Sequence, residues 1–191
     1  MAETTTTGEA VETGAEAKPK QKRLSRRKAV EQHVRSYFEA IGRRDVEALA
    51  AHWSEDGVED LVPIGILRGR EEVKDFFRGV FAAMPNAETA CLRVVAAETS
   101  AAVEWRMTGT FDGEPFQGVD PTGKPIDVRG LDLIEIEDGL IVSNTAYYDN
   151  MAYARQVGLM PPMDSGAERA MKGAFNTITK ARRMISDRTG G

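Results

Sequence analysis

The sequence predicts an α+β fold: three N-terminal helices pack on one face of a curved, mostly antiparallel sheet, and a C-terminal helix follows. Apolar residues spaced three and four apart indicate helices in residues 27–41 and 70–84. Period-two alternation of apolar and polar residues indicates strands from about residue 90 onward. Asp138-Gly139 lies between two apolar runs, which is a strong hairpin signal. Helices gathered before a run of strands are typical of an α+β layout.

Composition indicates one soluble domain with tails. Of the 191 residues, 41% are hydrophobic and 29% are charged, which is ordinary for a globular protein. The formal net charge of −5 argues against a nucleic-acid partner. Cys91 is the only cysteine, so no intramolecular disulfide can form, and a cytoplasmic location is expected. The chain has no membrane-length apolar stretch and no secretory leader, so no membrane partner is expected.

The composition divides the chain into three segments. Residues 1–26 are predicted to form a disordered tail with a basic arm, since large apolar residues are almost absent before seven basic residues between Lys18 and Lys28. The arm either binds nucleic acid or an acidic partner, or is a solvated tail that leads into a helix. Its lack of aromatic residues favours the solvated tail. Residues 27–160 form the predicted domain. Residues 161–191 form a predicted linker and an amphipathic helix. The helix docks on its own domain or on a partner subunit, or it lies on a membrane surface.

The predicted helices direct large side chains toward a core. Tyr37 lies in the middle of the first apolar stripe, where its hydroxyl would need a partner. Phe77 and Phe81 lie on the inward stripe of the third helix. His33 and His52 lack the matched ligands of a metal site, so no metal is expected.

Two predicted strands place a carboxylate in line with aliphatic side chains. Asp60 shares a strand face with Val58 and Val62. Asp132 lies in the hairpin on a face whose other members include Val128, Ile134 and Ile136. An ionised carboxylate on such a face needs partners or has a raised pKa; a local hydrogen bond is the simplest outcome.

Several short segments within residues 27–160 carry a family resemblance. They are Arg44-Asp45, the turn from Val58 to Gly65, Leu67-Arg68-Gly69, Pro121-Thr122-Gly123-Lys124, Asp138-Gly139-Leu140-Ile141 and Tyr147-Tyr148-Asp149. With these segments the chain resembles the nuclear transport factor 2-like superfamily, which includes ketosteroid isomerases and SnoaL-like polyketide cyclases. The Pro-Thr-Gly-Lys loop and the closing Gln156-Val157-Gly158-Leu159 are most similar to the SnoaL-like branch. The resemblance implies a curved sheet around a pocket that the helices close, usually assembled as a homodimer.

The resemblance also implies a catalytic set. Tyr37 and Asp45 keep the spacing found in ketosteroid isomerases, Asp60 lies in a Val-Glu-Asp strand like their general base, and Asp132 stands where they carry an oxyanion donor. Asp60 would then remove a proton next to a carbonyl, while Tyr37 and a protonated Asp132 would donate to the enolate oxygen. This chemistry needs neither a metal nor an organic cofactor.

One motif departs from the SnoaL-like cyclases, because their His-Thr-Gly is here Met107-Thr108-Gly109. The side chains expected to line the pocket are Val62, Phe77, Phe81, Val103, Trp105, Met107, Ile134 and Tyr147. Two functions are compatible with this pattern. One is a cofactor-free isomerase or aldol-type cyclase acting through an enolate on an apolar carbonyl compound, such as a polyketide or steroid-like molecule. The other is a non-catalytic ligand-binding or scaffold protein with the same fold.

Overall fold

The computed structural model describes residues 19–62 and 64–189 and confirms the predicted α+β fold. Its helices are α1 (Pro19–Gly42), α2 (Val46–Ala50), α3 (Arg70–Ala83), α4 (Asn150–Val157) and α5 (Gly166–Thr189). Its strands are β1 (Trp53–Val62), β2 (Gly65–Arg68), β3 (Glu88–Ala96), β4 (Ser100–Phe111), β5 (Lys124–Glu137) and β6 (Leu140–Tyr148).

The six strands form one sheet in the order β2-β1-β6-β5-β4-β3. Every neighbouring pair is antiparallel except β1 and β6, which are parallel. Asp138 and Gly139 both have positive φ angles, 48° and 79°, as a tight turn between β5 and β6 requires. The parallel pairing places Glu59 opposite Asn144, and the hairpin places Ile134 opposite Asn144 from the other side. Residues from three strands therefore meet at the centre of the sheet.

The first helix begins at Pro19, earlier than the predicted start near Arg27. Proline is well tolerated in the first turn of a helix. The early turns are also tied to the β3–β4 connection, because Arg23 Nε donates to Glu98 Oε1 at 2.6 Å and Arg27 Nε donates to the Ala96 carbonyl at 3.2 Å. The basic arm is thus helical from Pro19, and the rest of the predicted tail lies outside the described residues.

The core lies between the helices and the inner face of the sheet. The apolar stripe of α1 is buried as predicted, and its fully covered members include Val34, Tyr37, Phe38 and Ile41. Phe111 belongs to a second cluster beneath α3 and α4. Such burial of large apolar side chains is the main stabilising contribution to a domain of this size.

The predicted inward face of β1 is wrong. Glu59 and Leu61 are buried, whereas Asp60 and its predicted companions Val58 and Val62 are only half-buried, on the opposite face. The strand begins at Trp53, five residues before the predicted start at Val58, and the side chain of Trp53 is completely buried. The pairing with β6 shifts register between Trp53 and Val58. After that shift Gly57, Glu59 and Leu61 alternate as buried residues of one face.

The C-terminal helix forms as predicted but is not docked on the domain. Glu168, in its first turn, is buried and pairs with Arg155 of α4 at 2.9 Å. From Arg169 to Ser186 every residue is exposed. Of the helices in the described ranges, none combines the length and the hydropathy that a membrane span requires.

Candidate active site

An apolar cavity lies between the helices and the inner face of the sheet. The space it offers to the centre of a water-sized sphere is about 110 Å³, several times the roughly 10–15 Å³ that one water molecule needs. Most of its lining is aromatic or aliphatic, including Phe76, Phe77, Val80, Trp105, Met107, Phe116, Val128 and Tyr148. Its polar lining includes four side chains from α1, β1, β5 and β6, namely Tyr37, Glu59, Asp132 and Asn144.

Asn144 bridges two buried carboxyl groups. Its Nδ2 lies 3.0 Å from both Oε1 and Oε2 of Glu59 and 3.1 Å from Oδ2 of Asp132. Glu59 and Asn144 are each 2% exposed, and Asp132 is 6% exposed. An amide nitrogen has two hydrogens, so three oxygen atoms share two donors. Asn144 Oδ1 is buried and accepts no hydrogen bond from the described residues, which leaves it available to a ligand.

Trp105 holds the second oxygen of Asp132. Its indole Nε1 donates to Asp132 Oδ1 at 2.6 Å. Gly130 makes this contact possible, because a Cβ atom at that position would overlap the indole ring. Both oxygens of Asp132 therefore have a donor, and the carboxyl group is fixed in orientation at the cavity wall.

The two carboxyl groups differ in acidity. Burial raises the pKa of Glu59 well above its ordinary value, and the charge of Asp132 raises it further. Burial also raises the pKa of Asp132, but its hydrogen bonds with Trp105 and Asn144 oppose that effect, so the value is about 6. Near neutral pH this arrangement favours a neutral Glu59 beside an ionised Asp132.

Tyr37 lies in the same cavity wall and is 1% exposed. Burial raises the pKa of its hydroxyl well above 10.0, and the charges of Glu59 and Asp132 act in the same direction. The hydroxyl is therefore a neutral donor at physiological pH. Its ring packs edge-on against Phe38 and Trp53, with centroid distances of 5.5 and 6.2 Å.

The structure brings Tyr37 and Asp132 together but leaves Asp60 out. Asp60 lies on the opposite face of β1, so its predicted place in the cavity is wrong. Of the residues expected to line the pocket, Phe77, Trp105 and Met107 do so. The remaining five are elsewhere: Val103 and Ile134 are buried in the core, Phe81 packs against both core clusters, and Val62 and Tyr147 face outward.

The sequence reasoning missed Glu59 and Asn144. A signal for Glu59 existed, because it has the same strand phase as the large apolar residue Leu61. Asn144 has the same phase as Ala146 in β6, but no local pattern distinguishes a site residue there from an ordinary polar one.

The two histidines contact each other outside the cavity. His52 Nδ1 lies 3.4 Å from His33 Nε2, and burial lowers the pKa of both rings. Within residues 19–62 and 64–189, no group of three or more His, Cys, Asp or Glu side chains is arranged to hold a metal ion.

A known family model matches most of the domain that contains this cavity. Residues 31–157 match the family model of the SnoaL-like polyketide cyclases. That range contains Tyr37, Glu59, Asp132 and Asn144 and excludes α5. Among curated protein sequences, none matches the chain.

Solved structures share the fold. AclR, a proposed hydroxylase from Streptomyces galilaeus, is 18% identical with a TM-score of 0.65, over 82% of this chain and 98% of AclR. A protein from Catenulispora acidiphila with a ketosteroid isomerase-like fold, solved with trimethylamine, is 21% identical with a TM-score of 0.56, over 66% of this chain and 92% of its own. IdmH, a proposed polyketide cyclase from Streptomyces antibioticus, is 26% identical with a TM-score of 0.58, over 67% and 97%.

Proposed function

Because the chain belongs to the SnoaL-like polyketide cyclase family, we propose that it is a cofactor-free enzyme that cyclises or isomerises an apolar carbonyl compound through an enolate. The observation that carries this proposal is the pair of buried carboxyl groups, Asp132 and Glu59, joined by Asn144 at the wall of an apolar cavity. Two carboxyl groups whose surroundings separate their pKa values can serve as a base and an acid in one reaction.

Asp132 is the proposed general base. With a pKa of about 6, it is ionised at neutral pH and still basic enough to accept a proton efficiently. It takes a proton from the carbon next to a substrate carbonyl, and the electrons of that C–H bond form the enolate double bond. The negative charge then develops on the former carbonyl oxygen.

Glu59 and Tyr37 are the proposed donors to that oxygen. Both groups have raised pKa values and are neutral donors in the wall of a mostly apolar cavity. Donors of this kind stabilise a developing oxyanion more strongly than water does, since their hydrogen bonds act in a low dielectric. In this proposal Asp132 takes the base role predicted for Asp60, and Glu59 takes the donor role predicted for a protonated Asp132.

The enolate has two fates. Its carbon attacks a second carbonyl of the same molecule in an aldol-type cyclisation, or Asp132 returns the proton to a different carbon in an isomerisation. In the cyclisation Asp132 returns its proton to the new alkoxide, so that acid and base balance over one turnover. Met107 stands where SnoaL-like cyclases carry a His, so the protein donors in this scheme are Glu59 and Tyr37.

The cavity favours a flat, apolar substrate. Aromatic rings of Phe76, Phe77, Trp105, Phe116 and Tyr148 line it, and such rings pack well against planar ring systems. Polyketide-derived and steroid-like carbonyl compounds have this character. The acceptor Asn144 Oδ1 would also bind a hydroxyl group on the substrate.

The outer face of the sheet favours a homodimer, which we also propose. Val95, Leu131, Leu133 and Tyr147 are exposed there, between 42% and 58%. Exposed apolar patches of this kind are typical of subunit contacts. Sedimentation equilibrium on the full chain checks the assembly, and a monomer at micromolar concentration would contradict it.

The catalytic proposal is tested with β-tetralone, an apolar ketone with acidic protons next to its carbonyl. In deuterium oxide, the wild-type protein should accelerate exchange of these protons, as followed by proton NMR. Asp132→Asn should reduce the exchange rate at least a hundredfold, since it removes the base. Asp60→Asn is the matched control and should leave the rate unchanged, because Asp60 faces away from the cavity.

The non-catalytic alternative predicts a different result. A ligand-binding protein would bind β-naphthol, a planar analogue of the enol, without accelerating exchange of β-tetralone. Tight β-naphthol binding together with exchange at the buffer rate would therefore replace the enzyme proposal with the binding one.

A further inference from the structure

The helix α5 is an addition to the family domain. It follows the family match, which ends at residue 157, and it extends for 24 residues from Gly166. Its first turn is anchored, because Glu168 pairs with Arg155 of α4 at 2.9 Å and accepts from the Asp164 backbone at 2.8 Å. Every residue from Arg169 to Ser186 is exposed, so the body of the helix is not part of the domain core.

One side of α5 is apolar. Met171, Ala174, Phe175, Ile178 and Ala181 are spaced three and four apart and form a continuous stripe. Phe175 is 69% exposed and Ile178 is 52% exposed. A soluble helix normally buries such a stripe, and the domain of the same chain leaves it uncovered.

The rest of α5 is basic. Five basic residues and no acidic residue lie between residues 169 and 186. The domain has the opposite balance, since residues 29–165 contain 12 Lys and Arg against 24 Asp and Glu. At the helical repeat, Lys180 and Arg183 lie away from the apolar stripe, as does Lys172, which pairs with Glu168 at 3.1 Å. Arg182 lies within the stripe, four residues after Ile178, where its apolar stem can follow the apolar side while its charged end reaches a charged surface.

These features restrict what can cover α5. A second α5 is disfavoured, because two helices with the same excess of positive charge repel each other. Naked polyanions would bind the cations but would leave the stripe of Phe175 and Ile178 in water. An anionic lipid surface satisfies both sides at once, because the apolar side enters the boundary between headgroups and acyl chains while the cations meet lipid phosphates.

We propose that α5 binds the surface of an anionic lipid membrane and holds the domain next to it. The sequence alone favours a helix docked on protein. In the structure the helix is exposed from Arg169 to Ser186, and this exposure favours a membrane surface instead. A single amphipathic helix of this length binds reversibly and does not span the bilayer. The proposal is independent of the catalytic one, since it uses no residue of the cavity.

The test measures cosedimentation of the full chain with vesicles. Vesicles of phosphatidylcholine with about 30% phosphatidylglycerol should bind the wild-type protein, and vesicles of phosphatidylcholine alone should bind it much more weakly. Raising the salt concentration should weaken the binding, because it screens the charges.

Two variants separate the contributions. Phe175→Ser with Ile178→Ser should weaken vesicle binding at least tenfold, because it removes two large apolar contacts. Lys180→Gln with Arg183→Gln should remove most of the preference for phosphatidylglycerol. The matched control is Ile66→Ser in β2, since Ile66 is 51% exposed on the domain and should not affect binding.

Several outcomes would overturn the proposal. One is the absence of wild-type binding to anionic vesicles at low salt, and another is equal binding by the Phe175 and Ile178 variant. A third is a lipid-free oligomer that dissociates in that variant, which would show that a second copy covers the stripe.

Discussion

Asn144 Nδ2 lies 3.1 Å from Asp132 Oδ2, and the same nitrogen is within hydrogen-bonding distance of both oxygens of Glu59. One amide thus lies within hydrogen-bonding distance of two carboxyl groups that are both buried away from water. Hydrogen bonds to Asp132 stabilise its ionised form and keep its pKa near 6, while the pKa of Glu59 rises well above that of an exposed Glu.

Trp105→Phe should raise the pKa of Asp132. The substitution keeps an aromatic ring but removes the indole donor at 2.6 Å from Asp132 Oδ1, a hydrogen bond that lowers this pKa. A hydrogen bond to a charged group contributes about 1.5–3 kcal/mol, which corresponds to an increase of about 1 to 2 pKa units. Carbon-detected NMR titration of the Asp132 carboxyl measures it. Met107→Leu, elsewhere on the cavity wall, should not change it.

The pH dependence of β-tetralone exchange should report the same group. In the wild-type protein the exchange rate should rise with pH through about 6, as Asp132 becomes ionised. In Trp105→Phe the rising limb should move to higher pH. A limb that stays in place would show that another group is the base.

Compared with the wild-type protein, the Asp132→Asn variant should become more stable as the pH rises. The native pKa of Asp132 is about 6, above its ordinary value of 3.8, so the native state binds this proton more tightly than the unfolded state. The contribution of Asp132 to stability is therefore complete below 3.8 and is lost as the pH rises to about 6. The difference in unfolding free energy, variant minus wild type, should increase by on the order of 3 kcal/mol across this interval.

Urea denaturation at several pH values checks that difference. Asp60→Asn is a suitable control, because Asp60 lies outside the cavity. A difference that stays constant from acid to neutral pH would contradict the raised pKa of Asp132.

Glu59→Gln should be tolerated by the fold, whereas Glu59→Ala should not. A Gln side chain has the size of a neutral Glu, the form that burial favours, and its amide oxygen can accept from Asn144 Nδ2. The change in unfolding free energy at neutral pH should stay within about 1 kcal/mol. Glu59→Ala leaves a cavity and unpaired polar atoms and should cost about 2–5 kcal/mol. Thermal denaturation ranks the two variants, and equal losses would argue against a neutral Glu59.

Gly130→Ala should destabilise the domain and displace Trp105. The added methyl group would overlap the indole ring, which cannot move without losing its bond to Asp132. Overpacking of this kind costs about 1–3 kcal/mol. Gly173→Ala in α5 is the control, since no atom lies within 4 Å of the added group, and it should not destabilise the protein. Tryptophan fluorescence and the melting temperature measure both effects, and an unchanged spectrum would contradict the packing argument.

Much of the fold could be read from local patterns. The inward positions of Tyr37 in α1 and of Asp132 in β5 follow from helical and strand periodicity, because a buried stripe or face repeats at the period of its element. The tight turn at Asp138-Gly139 follows equally from residue type, since glycine adopts a positive φ without strain.

Local patterns did not predict where β1 begins or how it pairs. The inward face of β1 was predicted from Val58 and Val62, but the strand begins at Trp53 and shifts register before Val58, and Glu59 faces inward in place of Asp60. Two adjacent acidic residues look alike to a pattern, yet only one can face the cavity. The orientation goes with the pairing of β1 and β6, in which Glu59 lies opposite the buried Asn144.

The sequence by itself determined which elements form and where Tyr37 and Asp132 point, because those properties depend on neighbours a few positions away. Only the tertiary structure decided that Glu59 and Asn144, 85 positions apart in the chain, share a hydrogen bond. That contact results from the parallel pairing of β1 with β6, which joins strands from opposite ends of the domain. The tertiary structure likewise decided that α5 stays exposed. Long-range pairing and docking depend on the shape of the whole domain, which local periodicity does not record.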